Sequence, residues 1–302
     1  GCAGIFVTTE SWLSAKAPPA ERGRVFSIYM VGTFIALAFG QLLIGWAQID
    51  RATPFNGIAA LFAAALVAVS STHAEPPHAS TATSIPYGHL SRKSPVSVVG
   101  AALSGLISSA FYALVPAWMQ SRGFDKASIG VFMLVAVLGG LAFQIPVGRL
   151  SDRFDRRIVL AALSIGFAGA AVALVQLPRS PWTDLPAAAL LGGFMSTLYP
   201  VCVAHALDRM PADSAVAVSS RLILVSGIGS VLGPLFGTSL MGRYDIDGVF
   251  YMMAAAAILL ALVALARSLI RTAPRRLARH FEILTPQAAP LAHDQANYPS
   301  KR

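Results

Sequence analysis

Long apolar blocks alternate with short polar breaks along most of this chain, and the blocks set its elements. Eight complete ones are predicted to be helices: Val25–Ala47, Phe55–Thr72, Val96–Met119, Ala127–Gly148, Ile158–Leu177, Leu185–Leu207, Val216–Met241 and Gly248–Ala266. At about 1.5 Å rise per residue such blocks match a hydrocarbon core roughly 30 Å thick. A ninth, Gly1–Ala15, is the tail of a further helix. Opening on Gly1 inside an apolar stretch reads as a fragment that enters mid-helix. The breaks differ in kind. Lys16–Arg24 is charged and carries Pro18-Pro19, which forbids helix continuation. His73–Ser94 is rich in Pro, Ser, Thr and His and lacks a hydrophobic period, as a surface linker does. The expected organisation is therefore residues 1–72 as part of an N-terminal bundle, 73–95 as a cytoplasmic linker and 96–270 as a six-helix bundle. Residues 271–302 are expected to form a cytoplasmic, disordered tail.

Charge fixes the expected orientation. Only 12% of residues are charged and mean hydropathy is +0.64, far from a soluble composition. The densest break, Gly148–Arg157, holds four arginines and two aspartates between two uncharged spans. It reads as a tight turn at a membrane surface, and its sign marks that surface as cytoplasmic. Alternating the spans from this turn places 15 of the 23 basic residues inside and 5 outside. Trp46, Trp118 and Trp182 then fall at outer span ends, where an aromatic belt lies. The net charge of +9 is accounted for by these loops rather than by a nucleic-acid partner. Cys2 and Cys202 both sit in apolar segments, so no disulfide framework is indicated. No metal cluster, nucleotide loop or catalytic triad is visible, which argues against an enzyme and against a cofactor.

A faint internal repeat is present. A shift of 193 residues superposes Lys16 on Arg209, Pro18 on Pro211, Ser27 on Ser220, Ile35 on Ile228, Gly40 on Gly233 and Leu42 on Leu235. Two bundles of like topology follow, with three helices missing before Gly1 if both have six.

Gly148, Leu150, Asp152, Arg153, Arg156 and Arg157 fit the pattern G-x-L-x-D-R-x-G-R-R between two spans. In this the chain resembles the major facilitator superfamily. The resemblance implies an all-α polytopic membrane protein of that fold, with about nine of twelve transmembrane helices present. Glu10-Ser-Trp12, Arg22–Met30 and Gly40-Gln41-Leu-Leu are similar to the bacterial YcaD-like branch. Asp155 stands where the pattern has glycine, which implies a less tight turn. Gly229–Pro234 resembles a motif of efflux antiporters, but lies in the eleventh helix rather than the fifth. That displacement weakens an antiporter inference.

Two groups of candidate residues follow. The first is a conformational latch of Gly148, Asp152, Arg153, Arg156, Arg157, Asp208, Glu10 and Arg24. Arg156 is expected to pair with Asp208, and Asp152 to sit near Arg24; the plain alternative is a solvated turn that only sets topology. The second is a substrate cavity lined by Tyr29, Thr33, Gln41, Phe111, Tyr112, Gln144, Met195 and Tyr199. Taken singly, each of these is as well explained by packing. His205 reads as a satisfied interfacial histidine, and Arg221 as snorkelling to the inner surface. Gly227, Gly229, Gly233 and Gly237 include spacings of four that suit close helix packing. No Asp or Glu lies in the central part of a complete span, where proton relays are usually built.

The expectation is a secondary active transporter of a small organic molecule, multi-pass and monomeric in a bacterial inner membrane. Proton-coupled efflux and metabolite uptake are its two forms, and a non-transporting receptor or scaffold of the same fold is the rival. Its partners are the substrate, the lipid bilayer and protons, with no nucleic acid.

Overall fold

The computed structural model describes residues 9, 12–13, 22–46, 51–72, 87–178, 180–210 and 215–270. Among them the regular structure is helical throughout; beyond residues 9 and 12–13 it forms α1 Arg22–Trp46, α2 Thr53–Ser70, α3 Tyr87–Lys93, α4 Pro95–Ser121, α5 Lys126–Arg153, α6 Arg156–Gln176, α7 Pro181–Leu207, α8 Ala215–Arg243 and α9 Gly248–Ile270. Seven of these are long and apolar enough to cross a membrane. In α1, 25 residues long, the apolar stretch runs Ile28–Leu43.

Local signals explain where the helices start. Pro95 and Pro181 sit in first turns, where a missing N–H costs nothing. Asp125 caps α5 by accepting from the Ser128 N–H. Thr183 Oγ1 accepts from the Ser180 N–H at 3.0 Å, so α7 begins four residues before the expected Leu185. A second difference lies in the linker. Its last part is the short helix α3, and Leu90 within it is buried. Seven residues are too few for a hydrophobic period to register, which is why the sequence pattern missed it. The remainder of the linker, residues 73–86, and the tail lie outside the described residues.

Helices α4 to α9 form one bundle with two tight pairs, α4 against α8 and α5 against α7, while α6 packs on α9 and α7. Glycines make the pairs tight. A Cβ on Gly229 would strike the Ala102 carbonyl, and one on Gly105 the backbone of Ser226. In the second pair, Gly192 lies against Ala136 and Gly139 against Ala189. Gly227, by contrast, faces open space, so it does not belong to the packed face with Gly229, Gly233 and Gly237. The core between the pairs is apolar and rich in aromatic rings, including Phe111, Phe132, Phe167 and Phe250. α1 lies along α5, and no residue of α2 is buried. The bundle has a basic end, with the 149–157 turn, and a far end, with the turns at 122–125 and 244–247.

Candidate functional site

The charged turn is compact. α5 ends at Arg153 and α6 begins at Arg156, leaving only Phe154 and Asp155 outside a helix. Asp155 adopts φ −59°, a conformation that requires no glycine. Its carboxylate caps α6 by accepting from the Arg157 N–H at 2.9 Å.

Helix α6 starts with two arginines, the wrong sign for the positive end of a helix dipole. Each is neutralised in its own way. Arg156 donates from Nε to Asp208 Oδ2 at 2.9 Å and from Nη2 to Asp152 Oδ1 at 3.2 Å. Its side chain is 7% exposed and that of Asp208 is 11% exposed. Asp208, at the C-terminus of α7, sits at the negative end of its own helix, again the wrong sign. The pair therefore offsets two unfavourable placements at once. Arg157 points elsewhere. It donates from Nη2 to Asp155 Oδ2 and from Nη1 to the Arg267 carbonyl, both at 2.6 Å, which ties α6 to the end of α9. Burial alone would raise the pKa of Asp155. The hydrogen bonds and positive charge of Arg157 outweigh that and hold it below the ordinary carboxylate value.

Gly148 is buried and Arg153 exposed. Glu10 lies outside the described residues, and of Arg24 only its place in α1 is described. His205 is buried one turn before Asp208, close to the basic end. Arg221 is half-buried near the start of α8.

The eight cavity candidates are spread over α1, α4, α5 and α7. Phe111 and Met195 are enclosed in the main core, with Phe111 edge-to-face against the exposed Tyr112 at 5.5 Å. Tyr199 is buried in a separate apolar cluster at the basic end, and Tyr29 packs against that cluster. The Thr33 hydroxyl bonds its own helix, donating to the Tyr29 carbonyl at 2.9 Å. Gln41 is half-buried on α1. Gln144 is fully buried, its Nε2 donating to the Ser196 carbonyl at 3.4 Å while its Oε1 has no hydrogen-bond partner among the described residues. A cleft between α1 and α5 has purely apolar walls, among them Phe34, Ala38, Val137 and Leu141, and includes none of the eight.

Sequence reasoning missed a second charged group at the far end. Trp118 Nε1 donates to Asp247 Oδ1 at 2.7 Å, and Arg122 Nη2 reaches Asp247 Oδ2 at 2.6 Å. Trp118 also meets Phe250 edge-on, with ring centroids 4.7 Å apart. The i, i+4 spacing of Trp118 and Arg122 could have placed them on one helix face. Their partner, 129 residues from Trp118, could not have been read from the sequence.

Residues 97–292 match the Major Facilitator Superfamily. The chain belongs to that superfamily. Over 268 residues, 88% of this chain and 69% of the relative, it is 30% identical to the Uncharacterized MFS-type transporter YcaD of Escherichia fergusonii. At the same coverage it is 31% identical to the proteins of that description from Salmonella arizonae and Shigella flexneri serotype 5b. It is thus a superfamily member of the YcaD-like branch, an all-α, multi-pass membrane protein and a transmembrane transporter rather than an enzyme.

Proposed function

We propose that this transporter moves a small organic molecule across a bacterial inner membrane by alternating access, with the 148–157 turn biasing the balance between access states. The observation that carries this reading is the Arg156 guanidinium, held by Asp152 and Asp208 while nearly shielded from water. A surface turn that only set topology would not need to sequester its charge. In a two-state protein a bias of about 1.4 kcal/mol changes the population ratio tenfold, well within reach of such a cluster. The basic end faces the cytoplasm in this reading, as does the C-terminus. The substrate site is expected near the midplane, where transporters of this architecture place it between repeats. Proton-coupled export is the favoured direction.

Flux tests it. The full-length transporter in liposomes is offered a panel of organic cations, anions and neutral amphiphiles under an imposed pH gradient. The expected result is saturable, gradient-dependent movement of at least one class. Arg156→Ala and Asp208→Ala should each lower it, and the swap Arg156→Asp with Asp208→Arg should recover part of it. Saturable binding without flux under any gradient would instead mark a receptor of the same fold.

A further inference from the structure

Two side chains from outside the six-helix bundle cover its basic end. Met30 of α1 and Leu90 of α3 are 2% and 1% exposed. Both belong to one apolar cluster with Ala101 of α4, Tyr199 and Val203 of α7 and Leu222 of α8. The rest of α3 is polar on its described positions: Ser91, Arg92 and Lys93 are exposed.

A seven-residue helix does not hold itself together in water, because nucleation costs more than so few turns return. What fixes α3 is therefore its attachment. Leu90 is its apolar anchor, and Arg209 Nη1 adds a tie to the Lys93 carbonyl at 3.4 Å, at the junction with α4. One buried leucine is a shallow anchor, strong enough to seat the segment and weak enough to be withdrawn. The cluster it enters joins α1 to α4, α7 and α8.

We infer that α3 is a strap across the basic end. Leu90 is the peg that keeps Met30 seated against α4, α7 and α8, and its withdrawal is one step in opening that end. The inference rests on the alternating-access reading above and adds to it a specific closure. It also gives the linker a task that a passive tether would not have.

The test reads access directly. In the full chain with Cys2 and Cys202 replaced by alanine, Val203→Cys serves as a buried reporter in the same cluster. A membrane-impermeant maleimide is applied from the basic end. Leu90→Ser is expected to raise the labelling rate about tenfold, equivalent to ~1.4 kcal/mol. Leu90→Ala should give a smaller rise and Leu90→Met a rate near that of the parent. Leu90→Ala puts no hydroxyl into the apolar cluster, so it carries the same test if the serine variant does not insert. Equal rates for parent and Leu90→Ala overturn the strap. Flux on the same samples separates the two claims. Unchanged labelling with normal flux refutes the strap alone, whereas a parent that carries no substrate refutes the transport reading.

Discussion

At the scale of residues, burial changes what the charged turn is worth. An exposed ion pair contributes about 0–1 kcal/mol. Arg156 and Asp208 are 7% and 11% exposed, so removing Arg156 leaves the Asp208 carboxylate shielded from water at the negative end of its helix without that guanidinium. Breaking buried pairs in this way costs roughly 3–5 kcal/mol. Arg156→Ala is therefore expected to lower the thermal midpoint in detergent by several degrees, and Arg149→Ala, at an exposed position of the same turn, to leave it nearly unchanged. Equal midpoints for the two variants would show that the pair is energetically superficial. Asp155 makes a pH-dependent contribution. Its folded pKa lies below the ordinary 3.8, so its stabilisation is present above that value and is lost as pH falls through the folded one. Asp155→Asn should destabilise at neutral pH, and its difference from the parent should shrink as the medium is acidified below about 4. A difference that stays constant into strong acid would contradict this. The Arg156–Asp208 pair was legible in the sequence because both residues fall at one predicted boundary. The bond from Arg157 to the Arg267 carbonyl was not, since a backbone acceptor leaves no mark on residue type.

Among the elements, glycine positions decide how closely helices approach. Gly229 and Gly233 press on the backbone of α4, and Gly227 presses on nothing. Gly229→Leu should separate α4 from α8 and lower stability severely, whereas Gly227→Ala should be neutral or gain up to about 1 kcal/mol of helix propensity. Detergent melting curves of the two variants decide it, and a reversed order would mean that the packed face is misassigned. The spacing was legible, but spacing alone does not say which glycine of a helix faces a neighbour. The spans themselves were predicted to within a few residues because long uncharged blocks leave few alternatives. Helix α3 and the Trp118–Arg122–Asp247 group were not read, for a shared reason: each depends on contacts between segments distant in sequence.

For the whole molecule, the helix directions place the turns alternately at two ends, so accessibility from each side is a strong constraint. Cysteines at Ser121 and Asp245 should react from one side of the membrane, and those at Ser91 and Phe154 from the other; all four positions are exposed. Labelling of Phe154→Cys from the same side as Ser121→Cys would invalidate the arrangement. The all-α class and the family could be read from composition and one motif. A substrate cavity could not, because side chains that suit a cavity wall also suit a core: Phe111 and Met195 are packed in the core of this conformation. Alternating access is the central claim, and a reversible lock tests it most directly. Met30 and Leu222 share the cluster at the basic end. With both changed to cysteine in the cysteine-free chain and joined by a short cleavable cross-linker, substrate flux should fall to background and return on cleavage. Undiminished flux through fully cross-linked protein would contradict the account.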